Sequence, residues 1–423
     1  VTDTNAEWFE RAKLVVPGGV NSPVRSFRSV GGTPYFVASA EGAYVTDVEG
    51  RRYIDYVQSY GASILGHAHP AVIGAICAAA PQGTTYGAPT EREVLLAEAI
   101  VERIAGVEQV RLVSSGTEAV MSALRLARGA TGRRKIVKFA GHYHGHSDSL
   151  LAAGGSGVAN QGLSGSAGVP DAAVADTVVA PFNVVPDLDD DTAVVVVEPV
   201  AANMGLVEPE PGFLAALRTA CDAHGVLLCF DEVITGFRLA HGGAEEWSGV
   251  RPDLWCFGKV IGGGLPVGAF AGSREVMSHL APLGPVYQAG TLSGNPLATA
   301  AGLAALSLLD RAAYDELVRI ATRLADGLHR AIAAAGLAVQ VPRVGPLVGL
   351  FFAEQPVRTF DDAQAAAGNG RYAPFFHAML RRGVALAPGP YEAIFPSLAH
   401  DDTIVDRTVE IAAEAAAEVA AGS

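Results

Sequence analysis

With 423 residues, half of them hydrophobic and 17% charged, the chain can bury a large interior and has room for more than one core. A formal net charge of −14 excludes nucleic acid and anionic membrane surfaces as expected partners. No apolar run is long enough to span a bilayer, VTDTNAEWFERAK carries no signal-peptide pattern, and Cys77, Cys221, Cys229 and Cys256 follow no metal or redox spacing, so a soluble, reduced, cytoplasmic protein is expected.

The first segment, PGGVNSPVRSF from Pro17 to Phe27, is too rich in turn formers for regular structure. Strand-like pieces follow at 44–47 and 52–57, divided by a Glu49-Gly50 turn. GHAHP, residues 66–70, brings His67 and His69 together without a cysteine or carboxylate set to complete a metal site, and reads as a turn into an alanine-rich helix over 71–80. Thr90 and Glu93 have capping-box spacing and open an amphipathic helix through Ala105.

A strand at 109–113 then runs into Ser114-Ser115-Gly116-Thr117-Glu118-Ala119 and a helix to Arg128. Strand, small-residue turn and helix start form an anion site, because free N–H groups and the helix dipole face the turn. A strand at 135–139 leads to GHYHGHSDS. His142, His144 and His146 alternate, which on extended backbone would align three imidazoles for zinc; glycine interrupts the run, and no metal is expected. The glycine-rich stretch 154–168 has the length of a lid loop, about fifteen residues.

The continuous valines of 193–197 predict a strand covered on both faces, followed by Glu198-Pro199-Val200 and Asn203. A helix over 212–223 stops at Gly225. The next strand ends in Phe230-Asp231-Glu232, and another, 254–257, ends in Gly258-Lys259 before Gly262, Gly263 and Gly264. A lysine beside glycine-rich backbone and a carboxylate on a nearby strand end suit pyridoxal phosphate, which needs an amine for its Schiff base and an acid to keep its ring nitrogen protonated. After PVYQAGTLSGNP, residues 285–296, come helices from Pro296 and over 314–335. Strands near 347–352 and 384–387, a helix near 372–382 and a terminal helix from Ile404 complete the chain. Alternating strands and helices through the middle predict a mainly parallel α/β sheet.

FDEVITGFR followed by GKVIGGGLPVGA, with SGTEA and YHG upstream, strongly resembles the class III aminotransferase family. The resemblance implies the PLP-dependent transferase fold type I. A large domain over 61–310 would hold a mainly parallel seven-stranded sheet, and a small α+β domain would join the N-terminal segment 1–60 to residues 311–423. It implies a homodimer with the active site at the interface, Thr291 reaching the neighbouring subunit's phosphate. Lys259 would hold the cofactor as PLP, whose aminated form in turnover would be PMP, and shuttle a proton; Asp231 would pair with the ring nitrogen. Tyr143 and Val233 would press on opposite ring faces, Asn203 would bond the ring hydroxyl, and Ser115, Gly116 and Thr117 would hold the phosphate. Ser22 and Arg25 would bind a substrate carboxylate.

Within the family the wording is nearest the aminomutase branch, which turns glutamate-1-semialdehyde into 5-aminolevulinate without a second substrate. That branch has a gating loop where residues 154–168 lie. Around the expected substrate the chain departs from it. Tyr60, Ala62 and Ser63 replace tryptophan, proline and methionine, His142 replaces cysteine, and Ile234 replaces methionine; Glu392 is kept within the altered segment 387–397. Tyr60, His142 and Glu392 are therefore expected at the substrate. The departures leave open an intermolecular aminotransferase, such as one making 3-aminobenzoate from 3-dehydroshikimate with glutamate as donor. The remaining alternative is a non-catalytic or metal-binding protein using the histidine-rich turn.

Overall fold

Thr192–Val197 is buried at every position, as a strand covered on both faces must be. The computed structural model, which describes residues 3–152 and 165–422, places it at the heart of a seven-stranded sheet. In chain order the strands of the fold are β1 (Val37–Glu41), β2 (Tyr44–Asp47), β3 (Arg52–Asp55), β4 (Gln109–Val113), β5 (Lys135–Phe139), β6 (Thr177–Ala180) and β7 (Thr192–Val197). They continue with β8 (Leu227–Glu232), β9 (Leu254–Phe257), β10 (Gly268–Gly272), β11 (Arg343–Val344), β12 (Leu347–Val348) and β13 (Val384–Ala385). The large sheet has the order β4-β10-β9-β8-β7-β5-β6, parallel except for β10, which runs antiparallel between β9 and β4. The C-terminal ends of β4, β5, β7, β8 and β9 therefore open on one edge, where α/β sheets bind ligands.

Helix Gly116–Thr131 covers one face with Ala119, Val120, Ala123, Leu124 and Ala127, and ends at left-handed Gly132. The predicted capping box is present, the Thr90 hydroxyl and the Glu93 carboxylate reciprocally satisfying the first turn of Glu91–Arg103. Phe213–His224 stops at left-handed Gly225, as the sequence predicts. Among the described residues no helix is long and apolar enough to cross a membrane.

A second sheet, β1-β2-β3-β13, joins the two ends of the chain: β13 lies parallel to β3, with Val384 opposite Ile54. Helices Arg311–Ala334, Tyr372–Arg381 and Asp402–Ala421 pack on it around Tyr56, Leu324, Phe375 and Phe376.

The structure adds elements that patterning does not reveal. Helix Asn5–Val15 is closed by a Thr4 and Glu7 capping box. β10, sequence GAFAG, has too few β-formers to read as a strand; at Gly268 a Cβ would come within 2.3 Å of the Ser115 carbonyl oxygen, so glycine is what admits it beside the β4 turn. The strand expected over 347–352 shrinks to β12, with Phe351 only bridging Gln340. Of the stretch 154–168 predicted as a lid, residues 154–164 lie outside the described residues.

Helix Pro296–Ser307 backs the turn Lys259–Gly262 at very short range. A Cβ on Gly302 would lie 2.0 Å from the Ile261 carbonyl oxygen, and one on Gly263 2.5 Å from that of Ala301. Helix propensity favours alanine at position 302 by about 1 kcal/mol, but a backbone carbonyl cannot rotate away. Gly302→Ala should therefore destabilise the protein by about 1–3 kcal/mol in urea unfolding and loosen cofactor binding through displaced Lys259. An unchanged unfolding midpoint would show that the helix can retreat without cost.

Candidate active site

β8 delivers Asp231 into the interior. Its Oδ1 accepts the Val233 N–H at 3.1 Å, and its Oδ2 lies 2.7 Å from His144 Nδ1. Burial pushes this carboxyl up to about 7, against the Val233 N–H and the charge of Lys259, which both favour ionisation. One strand over, β9 ends in extended Gly258, and Lys259 follows with φ of 47°, a left-handed value uncommon for a side-chain-bearing residue. Burial lowers the Lys259 amine below its ordinary range; Asp231, Glu392 and Glu198 draw it back up, and Arg238 opposes them. An amine with that balance gives up its proton more readily than an exposed lysine and can take it back.

At the end of β4, the Ser115 hydroxyl caps the Glu118 N–H at 3.2 Å, while Gly116 and Thr117 begin the helix with N–H groups that have no place in its ladder. The turn carrying Tyr143 packs directly on it: at Gly145, φ 86°, a Cβ would meet Thr117 Oγ1 at 2.6 Å. The Tyr143 N–H donates to Glu198 Oε1 at 2.7 Å, and Glu198 Oε2 accepts from Ala202 N–H at 2.9 Å. Asn203 also bonds Glu198, whose carboxyl is raised to about 7 by burial and then by the charge of Asp231.

A cavity of about 230 Å³ unites Ser115, Gly116, Thr117, Tyr143, Asn203, Asp231, Val233 and Lys259. One substituted ring fits between an acid at one end and an amine at the other, with a helix start for an anion; this donor set suits pyridoxal phosphate. Thr291 stands apart, exposed on a turn away from that cavity.

The residues expected at the substrate come from distant segments. Gln58, Ser59 and Tyr60 all have positive φ, 43°, 53° and 55°. This strained turn half-buries the Tyr60 phenol, which desolvation and the Glu392 charge raise while Arg25 lowers it. Glu392 also acts on Tyr143 and Lys259, so Arg25, Tyr60 and Glu392 share one electrostatic neighbourhood with the amine. Ser22 precedes the short helical turn Pro23–Ser26 and is half-buried, while Arg25 is exposed.

His142 is the exception. After left-handed Gly141 its ring turns into the protein, 4.7 Å from the Phe182 ring, and Nδ1 accepts the Glu198 N–H at 3.0 Å. It is fully buried and does not line the cavity, so it lies beneath Tyr143 rather than at the substrate. Alternation failed to align the three histidines too: His144 is buried on Asp231 and His146 is exposed.

Sequence reasoning also missed Glu198 and Arg238. Glu198 carries the same signal as Asp231, a carboxylate ending an apolar strand. Arg238 is buried and donates to Gly61 O at 2.8 Å and Pro396 O at 3.1 Å, tying the loop after β8 to the segments bearing Tyr60 and Glu392. No sequence pattern announces such a link.

Asp231, Glu198 and Glu232, raised by burial to about 7, 7 and 8, give the cofactor-free protein a pH dependence. A carboxyl raised on folding contributes stability that is complete below its unfolded pKa and is lost as pH rises through the folded value. Buried His142 and His144, lowered by burial, act in the opposite sense only below their ordinary pKa. Between about pH 6.5 and 8 the cofactor-free protein should lose stability by less than about 1.4 kcal/mol per pH unit for each raised carboxyl, the slope fading as Asp231 and Glu198 pass about 7 and Glu232 about 8, and Asp231→Asn should flatten it. Thermal unfolding across that window measures it; a level or rising stability would mean the carboxyls are already ionised.

Comparison with known proteins agrees with this geometry. The chain is 54% identical over 416 residues, 96% of each chain, to a protein of Syntrophobacter fumaroxidans named glutamate-1-semialdehyde 2,1-aminomutase. An omega-transaminase from Sphaerobacter thermophilus superposes with a TM-score of 0.89 at 34% identity, covering 99% of this chain and 98% of that one. A transaminase with PLP bound superposes at 0.88 and 33%, covering 100% and 99%. Residues 27–415 match the class-III aminotransferase family model, and the chain belongs to that family of pyridoxal phosphate enzymes.

Proposed function

We propose that the protein is a glutamate-1-semialdehyde 2,1-aminomutase, a cytoplasmic homodimer that moves an amino group within one small substrate to give 5-aminolevulinate. The observation that carries this reading is identity of 53–54% over 96% of the chain to several proteins of that name. Bound pyridoxal phosphate supplies an electron-accepting ring and an amine carrier.

The chain's own residues take the remaining work. Lys259 Nζ holds the cofactor and, once released, moves the proton at the substrate carbon. The Asp231 carboxylate keeps the ring nitrogen protonated, Tyr143 and Val233 fix the ring plane, and Asn203 bonds its hydroxyl. Ser115, Gly116 and Thr117 grip the phosphate with N–H and hydroxyl donors, and Thr291 does so from the second copy. Ser22 and Arg25 orient the substrate carboxylate, with Tyr60 and Glu392 closing the substrate side. The division into 1–60, 61–310 and 311–423 places the cofactor residues mainly on the middle unit and the substrate residues on loops tied to the outer two.

Incubation with glutamate-1-semialdehyde alone should yield 5-aminolevulinate. No product, together with turnover that requires glutamate and a separate keto acceptor such as 3-dehydroshikimate, would replace this reading with the intermolecular one. Borohydride should fix the chromophore to Lys259, and Lys259→Ala should lose sustained turnover; wild-type turnover in that variant would overturn the role of the amine. Arg25→Ala should raise KM about 10–100-fold, the loss of one charge-assisted contact, while kcat and the cofactor spectrum change little. An unchanged KM would remove Arg25 from the substrate.

A further inference from the structure

Beneath the cavity two neutral imidazoles have complementary needs. His142 Nδ1 accepts the Glu198 N–H at 3.0 Å, so the His142 proton resides on Nε2. His144 Nδ1 lies 2.7 Å from Asp231 Oδ2, and an N–H donated there leaves His144 Nε2 a bare acceptor. The rings are 5.8 Å apart between centroids at 64°, and both Nε2 atoms are buried without a partner. Burial holds both rings below their ordinary pKa. Lys138, buried in β5, acts in the same direction on protonation: it donates to the carbonyls of His142, Leu150 and Ala152 at 3.2, 3.1 and 3.3 Å, and its charge disfavours imidazolium at either ring. Glu198 faces the cluster from the end of β7 and Asp231 from β8.

We infer that His142 is a positioning residue that acts through His144 on Asp231. Its Nε2–H is the donor matched to His144 Nε2 across the gap between the two unpartnered nitrogens, through one bridging water, and that link commits His144 to the tautomer whose Nδ1–H is held on the carboxylate. Asp231 is thereby kept ionised and aimed at the cofactor ring nitrogen. The inference rests on Asp231 being the partner of that nitrogen. It gives the histidine found in place of the aminomutase branch's usual cysteine a part in tuning the cofactor rather than in contacting substrate.

The test is a pH titration of the visible band of holoenzyme loaded with pyridoxal phosphate. His142→Phe keeps the ring packed on Phe182 and removes both nitrogens; His142→Asn keeps an acceptor near Nδ1 and loses the distal donor; His142→Gln keeps a donor near Nε2. The band midpoint should rise by about half a unit or more in the Phe and Asn variants and return towards wild type in Gln, with kcat reduced and KM little changed. A wild-type midpoint in Phe and Asn with lowered thermal stability would make His142 a packing residue, and an equal shift in Gln and Asn would overturn the donor. Asp231→Asn in the same titration separates the two readings, since no band shift there would sink the role of Asp231 itself. Nitrogen NMR of histidine-labelled wild-type holoenzyme needs no variant: His142 protonated at Nε2 and His144 at Nδ1 is the expected result, and the reverse tautomer at either ring overturns the inference.

Discussion

Asp231 and Lys259 stand at the ends of neighbouring parallel strands, and burial works against both of their charges. It raises the carboxyl and lowers the amine, while each group's charge pulls the other back towards ionisation. Left alone, such a pair is a liability. A ring with a basic nitrogen at one end and an aldehyde at the other answers both needs, giving the carboxylate a cation and the amine a bond. The architecture serves this opposition. Register brings β8 beside β9 with Asp231 opposite Cys256, and the close approach of helix Pro296–Ser307 at Gly302 keeps the lysine turn from retreating.

The cofactor half of the site was legible because it is local. Ser115, Gly116, Thr117, Asp231 and Lys259 each end a strand or open a helix, so apolar runs, a small-residue turn and a lone charge suffice to place them, whereas Tyr143 and Asn203 sit in loops and were placed by resemblance. The grouping of Arg25, Tyr60 and Glu392 was not readable from the residues alone, since they come from the chain's two ends, which β13 closes on each other by pairing with β3. Their positions rested on family resemblance, and where the chain departs from that pattern the expectation was weakest. His142 illustrates it: it was expected at the substrate because it stands where that branch has a cysteine, and left-handed Gly141 just before it turns the ring into the protein instead.

Packing also conceals what composition would reject. β10 has a poor strand sequence, yet it occupies an interior place in the large sheet because only glycine at position 268 lets it pass the Ser115 carbonyl. Propensity measures what a residue prefers in isolation; here the neighbour's backbone decides.

Backbone strain falls on the two sides of the same space. Lys259 is left-handed on the cofactor side, and Gln58, Ser59 and Tyr60 are left-handed on the other. Arg238, buried between them, holds the carbonyls of Gly61 and Pro396 and bears on the Lys259 amine. One guanidinium therefore holds the turn after Tyr60 and the segment after Glu392 in place on the same side as the Lys259 amine. The strand ends that carry the cofactor residues are fixed by a sheet buried on both faces and can vary little. Loops held by a few hydrogen bonds to Arg238 can exchange large residues for small ones while the amine and carboxylate stay in place. That asymmetry lets the departures at Tyr60, Ala62 and Ser63 sit in the loops while the strand ends bearing Asp231 and Lys259 stay in place.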